Sequence, residues 1–181
     1  VIHYRSSGDE AAALADELPS AETVQADLAQ DGAPAALARE LAARLDDWRC
    51  LINSAAIFKP DDVTALDAEI FRQAMQVNAR GPAMLAQAYL AHARALSGRH
   101  VIQVTDQKLA NPNPDFFSYT MSKHALASTV PMLSMGAAKP ADRVYALAPG
   151  AILASHDQRE EETEISHRMN LLKRKTGQDE V

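Results

Sequence analysis

Five short runs of β-branched and apolar residues, at 1–4, 23–26, 48–53, 100–105 and 143–147, alternate with longer stretches of helix formers. This alternation constrains the fold more than any other feature of the chain. The intervening stretches 10–18, 33–47, 66–96 and 118–138 read as helices. Strand–helix–strand units of this kind close right-handed, so the strands lie parallel and the helices cover both faces. The expectation is a doubly wound α/β sheet. Such a sheet binds ligands beyond the carboxyl ends of its strands. Polar or turn residues follow every strand there: Arg5, Asp27, Asn53, Asp106 and Pro149-Gly150.

Local signals refine the picture. Residues 5–9 form a loop with a helix N-cap. The long helical region 66–96 is interrupted at Gly81-Pro82, where proline removes a backbone donor. Pro131 should kink the helix over 118–138 unless another group satisfies the carbonyl of Ala127. The acidic stretch 155–164 reads as a surface loop or helix. At 181 residues, with no repeat or linker, the chain is expected to form one domain over 1–181.

Composition narrows the function classes. A net charge of −6 argues against a nucleic-acid surface, which wants a basic stripe. No apolar run approaches the ~18 residues that a membrane span requires. Cys50 is the single cysteine, so an intrachain disulfide is excluded and a reducing, cytoplasmic setting is expected. The histidines show no metal-ligand spacing and one cysteine cannot build a zinc site, so no metal is expected.

The stretch carrying chemistry is Ser118-Tyr119-Thr120-Met121-Ser122-Lys123. Tyr119 and Lys123, four apart, share one face of a helix. A free phenol titrates near ~10 and is a poor proton shuttle at neutral pH. An ammonium beside it favours the phenolate and is expected to lower that value. The same spacing also suits a solvated helix face with an i,i+4 contact, so the surroundings must decide.

Those surroundings resemble the short-chain dehydrogenase/reductase family over nearly the whole chain. Tyr119 and Lys123 match its catalytic pair, and Asn53-Ser54-Ala55-Ala56 is similar to its Asn-Asn-Ala-Gly stretch. Asn78 matches the asparagine that holds a water behind the catalytic lysine. Asp27 matches the acid that meets the adenine, and Pro149-Gly150 the pair beside the nicotinamide. The resemblance implies a Rossmann-type fold, a bound nicotinamide cofactor and a homotetramer packed partly through the helices of Asn78 and Tyr119. Lys123 would also bind ribose.

One departure is informative. Where the family usually carries a serine, thirteen residues before the tyrosine, this chain has Asp106. An aspartate there resembles pteridine reductases and the related dihydromonapterin reductases. His3-Tyr4-Arg5-Ser6, Asn53-Ser54-Ala55-Ala56-Ile57-Phe58 and the late run Leu171-Leu172-Lys173-Arg174-Lys175-Thr176-Gly177 resemble the same subgroup, in which Phe58 would flank the substrate pocket. A pterin presents ring nitrogens to be protonated as hydride arrives, and a carboxyl beside Tyr119 can relay protons to them. Asp106 could instead be a strand-end turn or cap acid. Arg5, beside His3, Ser6 and Ser7, stands where an acid would select NAD. Its forked donors suit a 2′-phosphate, so NADPH is expected.

The resulting expectation is an NADPH-dependent reductase of a pterin such as dihydrobiopterin, dihydromonapterin or dihydrofolate. A ketone or 3-oxoacyl reductase of the same family is the near alternative, and a non-catalytic binding partner the far one. The family opens on a strand and a Gly-rich turn and closes on a further helix and strand, which this sequence does not contain. It is therefore expected to be the interior of a longer chain, with its sheet split where a central strand would lie.

Overall fold

The computed structural model describes residues 1–150, 152 and 177. Its elements run β1 (Ile2–Tyr4), α1 (Gly8–Asp16), β2 (Thr23–Gln25), α2 (Ala33–Arg44), β3 (Cys50–Asn53) and α3 (Ala68–Ala74). A π-helical segment (Met75–Arg80), α4 (Gly81–His92), β4 (His100–Val104), a 3₁₀ turn (Gln107–Leu109), α5 (Phe117–Gly136) and β5 (Arg143–Leu147) follow. The acidic stretch 155–164 and the late run 171–176 lie outside the described residues.

Every strand pair among the described residues is parallel. Ile2 pairs with Thr23 and Tyr4 with Gln25; Cys50 pairs with His100, and His100 with Arg143. Among the described residues the strands form two sheets, β1–β2 and β3–β4–β5. A slot of about 560 Å³ separates them, lined by His3 of β1 and by Cys50, Leu51, Ile52 and Asn53 of β3. From the slot, the chain winds outward through β1 to β2 on one side and through β3, β4 and β5 on the other. Right-handed crossovers in opposite directions put their helices on opposite faces. Accordingly α1 packs on β1 and β2, whereas α2 packs on α4 and α4 on α5. This is the doubly wound α/β arrangement expected from the alternation.

The core lies under α2 and α4. Leu37, Ala38 and Leu41 of α2 meet Leu85, Ala86 and Tyr89 of α4 over Leu51, Val101 and Val144 of the sheet. The alternating burial of β4, with Val101 and Gln103 fully buried, is what a strand with one covered face requires. On the other face Ile52 and Tyr145 are exposed. Tyr89 is fully buried yet satisfied, its hydroxyl donating to the carbonyl of Trp48 at 3.0 Å. A buried ion pair fastens the start of β4 to that of β5: Arg99 donates through Nη2 to Asp142 Oδ2 at 2.5 Å and through Nε to Oδ1 at 3.1 Å.

The long helical region differs from expectation. The expected interruption at Gly81-Pro82 is absent: residues 68–92 are continuously helical, with the π-helical turn over Met75–Arg80 immediately before Gly81-Pro82. Arg80 and Gly81 keep helical backbone and Gly81 N donates to Gln76 O, so Pro82 sits inside a continuous helix. The wider π turn before it accommodates the backbone donor that proline lacks. Gly81 is needed for packing: a Cβ would lie 3.0 Å from the carbonyl oxygen of Leu28. The helix ends at His92 rather than near residue 96, and α5 runs unbroken through Pro131. Ser7 takes the N-cap position of α1 without a side-chain cap bond.

Candidate active site

Strands β1, β3, β4 and β5 end on one side, so the polar residues that follow them converge there. At the end of β4, Asp106 is extended and caps the 3₁₀ turn, its Oδ1 accepting from the backbone N–H of Lys108 at 2.8 Å. Its other oxygen, Oδ2, accepts from the hydroxyl of Tyr119 at 2.7 Å. Asp106 is thus both the cap acid and the partner of the tyrosine. Thr105 N and Gln107 N donate to Leu147 O and Pro149 O at 2.7 and 3.1 Å. These bonds bring the Pro149-Gly150 turn alongside Asp106.

The electrostatics of Tyr119 run opposite to the sequence expectation. Burial, the hydrogen bond to Asp106 and the charge of Asp106 together push its phenol well above the ordinary value. Lys123 does not reverse this. Its Nζ donates to Val104 O at 2.7 Å and lies 5.6 Å from the centroid of the Tyr119 ring. Burial also lowers the Lys123 ammonium, partly offset by Asp106. The geometry therefore holds Tyr119 as a protonated donor rather than a poised phenolate.

Asn78 is fully buried within the π-helical turn. Its Oδ1 accepts from Ile57 N at 2.8 Å, and Nδ2 donates to Ile57 O at 2.9 Å and to Ser122 Oγ at 3.0 Å. Both amide hydrogens are committed, so the side chain acts as a latch between the loop after β3 and helix α5. Any part in ordering water falls to its remaining lone pairs.

Phe58, just beyond the latch, stacks on Phe116 with centroids 3.8 Å apart and planes 9° from parallel. It also meets Tyr119 edge-on at 4.7 Å. Lys108 Nζ sits 5.1 Å above the Phe116 ring. An aromatic wall thus stands beside the Tyr119–Asp106 pair.

A second cavity, of about 450 Å³, opens between the ends of β1, β2 and the loop after β3. It is lined by His3, Arg5, Ser6, Ser7, Asp27 and Ala55 among others. His3 Nε2 is bonded to Ala26 O at 2.8 Å, and Gln25 Nε2 donates to Arg5 O at 2.9 Å, which fixes the β1 turn. Asp27 accepts from Ala29 N at 2.9 Å. The guanidinium of Arg5 is exposed at the rim.

The structure therefore brings the expected residues together in two neighbouring groups, one around Tyr119 and one around Arg5. Asn53 does not join either through its side chain. Its Nδ2 donates to Pro82 O at 3.2 Å and Gln103 Oε1 at 3.0 Å, bracing β3 against β4 and α4. Ser54 follows it along the slot. Three contributors were missed from the sequence: Ser122, Lys108 and Asp61. Ser122 lies one helical turn beyond Tyr119, a spacing that could have flagged it. Among the described residues no cluster of His, Cys, Asp or Glu could hold a metal ion, and no helix is long and apolar enough to cross a membrane.

The family model described as enoyl-(acyl carrier protein) reductase matches residues 1–181. Among solved structures, the chain is similar to FolM alternative dihydrofolate reductase 1 from Brucella suis, crystallised with NADP. Identity is 34%, 97% of this chain and 72% of that one are covered, and the TM-score is 0.87. The Brucella canis protein, also with NADP, gives 34% identity over 97% and 71%, with the same TM-score. The angucycline C-6 ketoreductase LanV with bound NADP is 26% identical over 97% and 72%, with a TM-score of 0.84. Comparison with curated proteins finds no significant match.

Proposed function

From the premise that the chain belongs to the short-chain dehydrogenase/reductase family, we propose that it is an NADPH-dependent reductase of a dihydropterin-type substrate. The observation that carries the reading is the 2.7 Å bond from Tyr119 to Asp106. A ketone needs one proton donor at its oxygen. Reducing a ring C=N bond places hydride on carbon and a proton on nitrogen, and a carboxyl beside the donor can resupply that proton. The flat wall of Phe58 and Phe116 suits a planar heterocycle.

The residues around the second cavity fit NADPH. Arg5 offers a phosphate-binding fork at its rim, and the first-turn N–H groups of α1 lack a side-chain cap from Ser7. Asp27 and Ala55 would flank the adenosine, and Pro149-Gly150 and Lys123 the nicotinamide side. Bound there, NADPH supplies the hydride. Tyr119, held protonated, would give its proton to the substrate nitrogen. The phenolate left behind would be reprotonated by a proton that the Asp106 carboxylate takes up from solvent water and passes to Tyr119 Oη. Lys123, anchored on Val104 O, keeps positive charge near the developing phenolate. Phe58 holds the ring plane. Assembly as a homotetramer in the cytoplasm is part of the same reading.

Similarity to two structures named alternative dihydrofolate reductases supports the pterin class. Similarity to an angucycline ketoreductase supports ketone reduction as the second reading. NADPH oxidation followed with dihydrobiopterin and dihydrofolate, against a ketone and a 3-oxoacyl thioester, separates the two. Turnover of the dihydropterins is expected; turnover of the carbonyl compounds alone would favour the second reading.

A further inference from the structure

Helix α5 carries Tyr119 and Lys123, yet it begins without a cap of its own. Phe116, at the N-cap position, has a left-handed backbone (φ 55) and contributes no side-chain cap bond. The first N–H groups of a helix have no intrahelical acceptor and need one from elsewhere. Here they find it 57 residues away, at Asp61 in the loop after β3. Phe116 N donates to Asp61 O at 2.8 Å, and Ser118 N donates to Asp61 Oδ1 at 3.0 Å. Ser118 Oγ donates to Asp61 Oδ2 at 2.5 Å. Ser118 is fully buried and is the immediate neighbour of Tyr119.

The same loop is pinned at its other end by Asn78, through both backbone groups of Ile57. Phe58 lies between the two pins and rests on Phe116 and Tyr119. The five-residue strap from Ile57 to Asp61 therefore sets two things at once: the ring of Phe58 and the first turn of α5. A helix that rotates or frays by a fraction of a turn at its start moves the Tyr119 hydroxyl directly, because Tyr119 is the third residue of α5.

We propose that Asp61 is a positioning residue that caps α5 from the Phe58 loop and thereby holds the Tyr119 hydroxyl on Asp106. It acts through Ser118 and Phe116 rather than on substrate. The proposal rests on the reductase reading only for its kinetic consequence.

The test combines NMR with kinetics on the full chain. With ¹³Cζ-labelled tyrosine, the protein's 4 tyrosines give separate resonances, and Tyr119→Phe identifies that of Tyr119. Asp61→Ala should shift the Tyr119 resonance in the direction that Asp106→Asn does. Asp61→Asn, which keeps an oxygen for Ser118 N, should leave it near the wild-type position. In turnover, Asp61→Ala should lower kcat by about 10- to 100-fold and leave the KM for NADPH unchanged. Asp67→Ala, which removes the cap of α3, controls for the loss of any helix cap and should leave kcat unchanged. Should Asp61→Ala fail to fold, Asp61→Glu moves the carboxylate out of register with Ser118 N and carries the same expectation. An unmoved Tyr119 resonance in the variant overturns the proposal whether or not the protein turns over a pterin. So does an equal fall in kcat for Asp67→Ala. A wild type that shows no reductase activity, with the resonance shifted as expected, would sink the reductase reading and uphold the role of Asp61.

Discussion

Replacing Asn78 by alanine should strike stability and substrate binding together, and the size of the first effect can be worked from its contacts. Three hydrogen bonds disappear: two to the backbone of Ile57, at 2.8 and 2.9 Å, and one to Ser122 Oγ at 3.0 Å. Ile57 is half-buried, so its orphaned N–H and C=O each cost about 1 kcal/mol, the low end for an unsatisfied group. Ser122 Oγ keeps its own bond to Tyr119 O and loses less, while the missing carboxamide leaves a void in a fully buried site. The sum is about 2–4 kcal/mol. For a chain of 181 residues that is a fall in Tm of about 5–15 °C. The KM for the substrate should rise as well, because Phe58 loses one of its two pins. Asn78→Asp adds a check with a defined sign. The introduced carboxyl can still accept from Ile57 N, but when ionised it faces Ile57 O and Ser122 Oγ with no hydrogen to give. Its destabilisation should therefore be smaller near pH 4, where the carboxyl is protonated, and larger at pH 8. Calorimetry at the two pH values measures both effects. A fall in Tm below 2 °C for Asn78→Ala, or a pH trend of the opposite sign for Asn78→Asp, would refute the latch.

Three further outcomes follow from the same geometry. Asp142→Asn leaves the buried Arg99 without its counter-charge and should cost about 3–5 kcal/mol in urea unfolding at pH 7. Arg99 holds the Asp142 carboxyl below its ordinary 3.8. The pair's contribution is therefore complete above that pH and lost as pH falls through the lower folded-state value, so variant and wild type should converge toward pH 2. Tyr119→Phe should lower kcat for reduction by roughly 10²–10⁴. In the wild type, whose phenol is held protonated by burial and Asp106, kcat should not fall in step with Tyr119 ionisation below the ordinary phenol value of 10.0; a Tyr119-dependent fall centred near pH 7 contradicts the assignment. Arg5→Asp should weaken NADPH by about 10- to 100-fold, as expected for one charge-assisted contact of ~1.5–3 kcal/mol, and leave NADH little changed; equal losses for both cofactors would remove Arg5 from the 2′-phosphate.

Much of this was legible in the sequence because it depends on local pattern. The strand segment at 100–105 announces itself by β-branched content and that at 143–147 by the short run of Val144, Tyr145, Ala146 and Leu147 closed by Pro149-Gly150, and Tyr119, Lys123 and Asp106 by fixed offsets along the chain. What stayed hidden depends on long-range contacts. The acid at Asp61 looks like a surface turn residue after Pro60, and nothing local says that it caps a helix beginning at Phe117. The latch of Asn78 onto Ile57 required the π-helical turn, which puts an extra residue into the helix and re-aims the side chain. Propensity does not encode that register. The direction of the Tyr119 shift is hidden from the sequence for a related reason. Spacing puts Lys123 on the same helix face, but burial and the carboxylate outweigh an ammonium whose hydrogen bond goes to Val104 O.

The central claim is that Asp106, bonded to Tyr119, directs this site toward a C=N bond in a pterin rather than a carbonyl. The measurement that tests it most directly is the ratio of dihydropterin to ketone turnover in wild type and in Asp106→Ser, with NADPH saturating and Tyr119→Phe as the inactive reference. The account predicts that Asp106→Ser loses dihydropterin reduction by about 100-fold or more, in line with removal of a proton-relay group, while ketone reduction holds or rises. Equal losses on both substrates, or dihydropterin turnover that survives the substitution, would contradict it.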